Sequence, residues 1–328
     1  MLINRLGTLK SMTPSVIPNS KNNARITPMT NLVSVPEELL WRANFNSDQS
    51  IATYDDAIQQ FMQFLQINTP EELRQVTHAH VIAFKQHLQA LNKKPSTINN
   101  RLSAISSLFN HLIDKQICTI NPAQGVRRMK AEYGQVKSKC LTAQEGRRLL
   151  DVPNRTTLKG KRDYAILAML FYTGCRISEV CKLKVSDFFM EKGYRVLEFQ
   201  LKGGKRNRVA ISKELELAVL NYMNACGHGE EKEQPLFQAI KHSRHKDTTR
   251  HLSRINLYQL WRTVCESAGI EGASPHSART TFITEAMENN CPIEAVQKTV
   301  GHAQIKTTQM YDKRNKQYKD SASFSVRF

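Results

Sequence analysis

Between Val35 and about Pro122, apolar residues return every three or four positions, the spacing that lines one face of an α-helix. Ile58, Phe61, Met62 and Leu65 fall at i, i+3, i+4 and i+7, so the pattern predicts a helix capped at its start by Ser50 or Thr53. Pro70, Glu71 and Leu73 open a second segment. A third runs from about Thr77 to Leu91 on Val81, Ile82, Phe84 and Leu88. A fourth opens at Pro95-Ser96-Thr97 and continues through Ile98, Leu102, Ile105, Leu108, Phe109 and Leu112. Four amphipathic helices in so short a stretch predict a small helical domain over residues 35–126.

Beyond it the pattern changes. Thr142-Ala143-Gln144-Glu145 has the spacing of a capping box ahead of a short helix. Residues 163–173 read as an apolar helix closed by Gly174, the residue that most readily adopts the left-handed terminating conformation. From Arg195 to Leu201 apolar Leu197, Phe199 and Leu201 alternate with polar neighbours. Lys202-Gly203-Gly204-Lys205 then turns the chain into Arg208–Ile211, which predicts a β-hairpin. Pro275 after Ser274, and Pro292, mark two more helix starts, the second helix ending at Gly301. The fold class that follows is mainly α with a small antiparallel β-sheet. Residues 127–140 form a linker and 141–328 a second, mixed domain. Residues 1–34 hold four basic residues, no acid and three prolines without sustained periodicity, and read as a flexible basic arm. They lack both the amphipathic pattern of an organelle-targeting peptide and the apolar core of a secretory signal.

Charge sharpens this outline. The 328 residues include 47 Lys plus Arg against 29 Asp plus Glu, a formal +18 at pH 7. Up to Val126 there are 11 basic and 8 acidic residues, and beyond it 36 and 21, so the excess is +3 and then +15. A field of that size attracts polyanions, nucleic acid first among them, while the same charge also suits an acidic membrane surface or simple solubility. The longest apolar run, Tyr164–Tyr172, is far short of the roughly 18 residues of a membrane span. Seven cysteines, with no C-x-x-C pair, argue against a disulfide framework or a zinc knuckle and fit a reducing cytoplasm. Candidate phosphate contacts are Lys93, Lys94 and Arg101 on the helical domain, Arg127, Arg128 and Lys130 in the basic linker, and Lys205, Arg206 and Arg208 on the hairpin. His242, His245 and His251 lie in a Lys/Arg-rich loop whose one nearby carboxylate is Asp247, a poor ligand set for a metal, which reads as a solvated or DNA-contacting surface.

Four local patterns then stand in order: Gly174-Cys175-Arg176-Ile177-Ser178-Glu179, Lys202 of the hairpin, His276-Ser277-Ala278-Arg279, and Gly301-His302 followed by Tyr311. Singly each is weak. His251-Leu252-Ser253-Arg254 also fits H-x-x-R, and Arg176 with Glu179 at i, i+3 equally describes a surface ion pair worth a few tenths of a kcal/mol. Lys205 rivals Lys202, and Tyr318 rivals Tyr311 among nine tyrosines.

Together, and with Ala303-Gln304-Ile305-Lys306-Thr307-Thr308-Gln309-Met310 leading to Tyr311, they resemble the tyrosine recombinases, the site-specific DNA recombinases that include phage integrases and chromosome-dimer resolvases. The resemblance covers residues 141–312 and extends to the helical first domain. It implies a four-helix SAM-like core-binding domain followed by a mixed α/β catalytic domain. It also implies an active-site set of Arg176, Lys202, His276, Arg279, His302 and Tyr311, with Glu179 in support. The implied reaction cleaves and religates DNA through a 3′-phosphotyrosyl intermediate and a Holliday junction, in integration, excision or resolution. No metal or cofactor is implied. The implied partners are duplex DNA with paired inverted binding sites, a homotetramer joined through a C-terminal tail ending in Phe324, Val326 and Phe328, and an accessory directionality protein. Thr280 and Cys175 depart from the commoner family pattern, though neither position supplies a catalytic group. Two other readings are a DNA-binding protein without cleavage and an enzyme resembling type IB topoisomerases; the two-domain layout and the full active-site set favour the recombinase.

Overall fold

The structure, a computed structural model, describes residues 36–45, 47–130, 138–201, 203–240 and 250–314. The basic arm, Lys202, His242, His245, Tyr318 and the apolar tail residues therefore lie outside the described residues. The chain divides into two compact units, Met1–Tyr133 and Gly134–Phe328.

The first unit contains five described helices: α1 (Glu37–Ala43), α2 (Asp48–Leu65), α3 (Pro70–Arg74), α4 (His78–Ala90) and α5 (Pro95–Asp114). Helix α2 begins two residues before Ser50, on Ser47, which corrects the expected cap. Thr69 and Glu72 close a reciprocal capping box at α3. Phe61, Phe84, Leu102, Ile105, Leu108, Phe109 and Leu112 fill the core, with Phe61 and Phe84 edge to face at 5.1 Å. Each such side chain contributes about 1.5–3 kcal/mol by leaving water. Helix α1 was not legible as an amphipathic segment because it buries a single side chain, Trp41, whose indole N–H donates to Ser107 Oγ at 3.2 Å.

In the second unit come α6 (Ala143–Asp151), α7 (Leu158–Thr173), α8 (Ile177–Val180), β1 (Phe188–Glu191), β2 (Tyr194–Gln200), β3 (Arg206–Ala210), α9 (Lys213–Cys226), α10 (Arg254–Ala268), α11 (Pro275–Glu288), α12 (Ile293–Val300) and α13 (Ile305–Tyr311). Thr142 and Glu145 form the capping box of α6. Helix α7 starts at Leu158 under a Thr157 cap, five residues earlier than its apolar run suggests. Its first turns carry a buried ion pair, Arg162 to Asp163 at 2.7 Å, which interrupts the apolar pattern without exposing the helix. The hairpin is part of a three-stranded antiparallel sheet, order β1-β2-β3, with Phe188 opposite Leu197 and Val196 opposite Ala210. Strand β1 is only four residues long and shows no clean alternation, so it carries little signal. Helices α9 and α10 do carry one. Leu215, Ala218, Val219 and Tyr222, and then Leu257, Trp261, Val264 and Cys265, are regular buried stripes.

The core of this unit gathers around α7, with residues 165–170 all buried. A separate small cluster of Ile283, Met287, Val296, Val300 and Tyr311 joins α11, α12 and α13. That cluster sets the last tyrosine of α13 against the ends of the two preceding helices.

Candidate active site

Two helices end on a common point. Helix α7 stops at Gly174 with φ +60° and α12 at Gly301 with φ +67°, and the last carbonyls of a helix lack partners within it. Arg279, in the middle of α11 and 1% exposed, satisfies one carbonyl from each. Its Nη1 donates to the Gly174 oxygen at 2.5 Å and its Nη2 to the Val300 oxygen at 2.7 Å. The negative ends of two helix dipoles thus face one guanidinium. Gly174 must be glycine, since a Cβ there would lie 2.6 Å from the Phe282 ring. Burial, reinforced by the charge of Arg176, lowers Arg279 to about 10, which leaves it cationic at neutral pH.

Arg176 sits at the start of α8. Its backbone N–H and its Nη1 both donate to the Glu179 carboxylate, each at 2.7 Å. The pair is therefore more than a surface contact: Glu179 is buried, whereas the Arg176 side chain is 38% exposed. Glu179 holds a charge that faces outward.

Tyr311 is the last residue of α13, with its ring in the small cluster and its hydroxyl at the rim. The hydroxyl lies 2.6 Å from Nε2 of His276 in the first turn of α11. Partial burial, then the charges of Arg279 and Arg176, lower the His276 pKa, with Glu179 opposing. The shift favours the neutral imidazole, the form that can take a proton. The His302 ring stacks on Tyr311 at 5.3 Å and the Arg279 guanidinium carbon is 5.9 Å from the tyrosine ring centre. His302 is buried, and burial, followed by Arg279, Arg176 and His276, lowers it to about 3. Its Nδ1 is 2.9 Å from Thr308 Oγ1. In the tautomer in which Thr308 donates, His302 Nε2 carries the proton.

Among the described residues three buried side-chain polar atoms lack a partner, and two of them are Arg279 Nε and His302 Nε2. Leaving a buried donor unpaired costs about 1–3 kcal/mol. Both atoms belong to side chains packed around the Tyr311 ring.

Of the residues singled out in sequence, Arg176, Glu179, His276, Arg279, His302 and Tyr311 come together here. Lys93, Lys94, Arg127, Arg128, Lys130 and Lys205 are exposed. Arg101 is not an open phosphate contact: its side chain is 13% exposed, paired with Asp56 and bonded to Gln60 at 3.2 Å, so helix α5 is using it to hold α2. Arg206 and Arg208 share the carboxylate of Glu198, each at 2.7 Å, and Arg208 also meets Glu191. The Arg208 bond leads in holding Glu198 below the usual carboxylate range. His251 points Nδ1 at the Cys181 carbonyl, 2.9 Å away. Among the described residues no three His, Cys, Asp or Glu side chains gather to hold a metal, and no helix is long and apolar enough to cross a membrane.

Two site residues were not singled out in sequence. Thr308 orients His302. Thr284 Oγ1 donates to the Tyr311 carbonyl and accepts from the Lys313 N–H, both at 3.2 Å, which pins the end of α13. Thr308 does lie in the Thr-Thr-Gln run, but nothing local marks its partner.

Compared with known proteins, residues 139–318 match the phage integrase family and residues 37–119 match the N-terminal SAM-like domain of phage integrases. A tyrosine recombinase of Synechocystis sp. is 33% identical over 73% of this chain and 75% of its own. The tyrosine recombinase XerC of Pelobacter propionicus is 29% identical over 81% and 84%. The fold is shared with XerH recombinase bound to a palindromic difH substrate in a post-cleavage complex, at TM-score 0.62 and 20% identity over 80% of this chain and 76% of that one. It is shared as well with a lambda integrase tetramer bound to a Holliday junction, at TM-score 0.63 and 16% identity over 85% and 76%.

Proposed function

The chain belongs to the phage integrase family, the tyrosine recombinases, and from that premise we propose that Tyr311 is the nucleophile of its site-specific DNA recombination, served by His276, Arg176, Arg279, His302 and Lys202. The observation that carries this reading is the 2.6 Å bond from the Tyr311 hydroxyl to His276, with two unpartnered buried atoms, Arg279 Nε and His302 Nε2, on side chains packed around the same ring.

The tyrosine oxygen attacks the scissile phosphorus while its proton passes to His276 Nε2. The P–O5′ bond breaks, and Lys202 of the β2–β3 hairpin gives the departing 5′ oxygen its proton. The products are a 3′-phosphotyrosine and a free 5′ hydroxyl. Attack by a 5′ hydroxyl from the partner duplex reverses the step, so the covalent link conserves the bond energy and rejoining needs no ATP. Arg279 Nε, His302 Nε2 and the exposed guanidinium of Arg176 face the non-bridging oxygens, where charge grows in the transition state. Their placement is fixed before DNA arrives, by helix ends and by Glu179.

The basic linker and the exposed lysines grip the DNA backbone, so binding falls steeply with salt. Paired inverted sites bring two protomers to each duplex, and two duplexes make a tetramer in the cytoplasm. Phe324, Val326 and Phe328 dock on the neighbouring protomer, and an accessory protein sets direction. Deleting residues 320–328 is expected to abolish tetramer assembly and recombination while sparing binding to a single site.

The decisive experiment uses a duplex that the protein itself selects from a randomised pool, nicked so that cleavage releases a short strand and cannot reverse. Wild type is expected to form a covalent adduct in chelator and Tyr311→Phe none. An adduct that survives in Tyr311→Phe overturns the nucleophile assignment.

A further inference from the structure

The end of α12 holds more than Arg279. Three consecutive positions there each meet a different part of the site. The Thr299 carbonyl accepts a hydrogen bond at 3.0 Å from the Asn207 side-chain amide, which projects from β3. The Val300 carbonyl accepts from Arg279. Gly301 is pressed against the hairpin: a Cβ there would lie 2.9 Å from Leu201 Cδ1 and 3.4 Å from Asn207 Nδ2. His302 follows immediately. The two hairpin residues that touch this point, Leu201 and Asn207, bracket the turn, and Leu201 N–H bonds the Lys205 carbonyl at 2.7 Å across it. Asn207 is half-buried, whereas its neighbours Arg206 and Arg208 turn to Glu198 on the other face of the strand. A strand alternates its side chains between faces, so Asn207 is the β3 residue near the turn that points toward α12.

We propose that Asn207 is a positioning residue that latches the β2–β3 hairpin to the carbonyl end of α12 and thereby sets the hairpin's acid in register with Arg279 and His302. The geometry favours a latch over general support. The bond joins a side chain to a backbone carbonyl that a helix end leaves without a partner within the helix, and the contact beside it is permitted only by the absent side chain of Gly301. The hairpin otherwise turns on Gly203 and Gly204, at φ +81° and +77°, where a Cβ would meet nothing within 4 Å among the described residues beyond the chain neighbours. Loss of the amide frees the turn without emptying a core. This rests on the reading of the hairpin as the carrier of the general acid.

The test replaces the bridging 5′ oxygen of the scissile phosphate with sulfur, whose thiolate leaves without a proton. Asn207→Ala is expected to cleave the oxygen substrate at least about tenfold more slowly, part of the 10²–10⁴-fold that general acid catalysis supplies. It should cleave the sulfur substrate at the wild-type rate. Asn207→Asp keeps the size but offers the carbonyl a second acceptor, and should behave like Asn207→Ala. Thermal unfolding within about 2 °C of wild type would exclude misfolding. Equal slowing on both substrates, or no slowing on either, overturns the proposal. Lys202→Ala and Lys205→Ala run in parallel. Sulfur rescue of either one leaves the acid on the hairpin and the latch interpretable. Rescue of neither removes the acid from the hairpin, and the latch proposal falls with that reading.

Discussion

Arg279 and Arg176 both serve the same phosphate in the proposed reaction, yet the structure gives them unequal second duties, and Arg→Lys at each position separates the two. At 279 the guanidinium bridges two helix-end carbonyls with different nitrogens, at 2.5 and 2.7 Å, while 1% exposed. A lysine has one nitrogen and can meet one of them. The other carbonyl is left buried and unpaired, which costs about 1–3 kcal/mol, and the more strongly hydrated ammonium is harder to bury. For a unit of this size each kcal/mol moves the unfolding midpoint by about 2–4 °C. Arg279→Lys should therefore lower the midpoint by about 2–12 °C. At 176 a lysine still reaches Glu179 from an exposed position, and the change should stay within about 0.5 kcal/mol. Both variants should lose roughly 10²-fold or more in strand cleavage, as expected for removing one transition-state donor. Trp261 lies in the core of the second unit and Trp41 in that of the first, so its fluorescence in a Trp41→Phe background follows the relevant unfolding. If Arg279→Lys unfolds within about 1 °C of its parent, or Arg176→Lys falls as far, the bridge is not the device described.

Three further outcomes follow from the same geometry. His302 is held at about 3, below its unfolded value near 6.5, so the unfolded chain takes up a proton that the folded one refuses. Its contribution is complete above pH 6.5 and is lost as pH falls; at pH 5 the loss is about 2 kcal/mol, or roughly 1 after solvent screening. His302→Asn should then lose less stability than wild type between pH 7.5 and pH 5, and equal losses would contradict the assignment. Since the His276 pKa is likewise lowered, single-turnover cleavage should fall with acid only about a midpoint below that of an ordinary histidine; a fall centred at pH 6.5 or above would mean the base is not a depressed histidine. Gly301→Ala meets both a left-handed φ and the Leu201 side chain at 2.9 Å, and should cost about 1–2 kcal/mol and slow cleavage more than binding, measured by filter retention beside the suicide assay.

Sequence pattern and structure agree where the physics is local. Helix α5 announces itself through Pro95 at its first turn and a buried stripe seven residues strong, and α7 through the αL glycine that ends it. The chemistry-bearing residues were legible because their types recur in a known order, while their geometry was not. Arg101 looked like a free cation until Asp56 and Gln60, more than 40 residues away, were seen to hold it. Thr284 and Asn207 gain their roles from carbonyls 27 and 92 residues distant, and no short-range rule names such partners.

The bond from Arg279 to Gly174 closes across 105 residues and that from Asn207 to Thr299 across 92. Contacts so far apart in sequence form late, because the intervening chain must first give up its freedom. A nascent or proteolysed chain that ends before α12 holds Arg176 and Glu179 on their own local turn, with no second helix end for Arg279, no His302 and no Tyr311. A fragment cut there lacks the proposed nucleophile and cannot carry out the proposed cleavage. In the proposed reaction the capacity to break DNA arrives in a single step, when the last two described helices are in place to close the site.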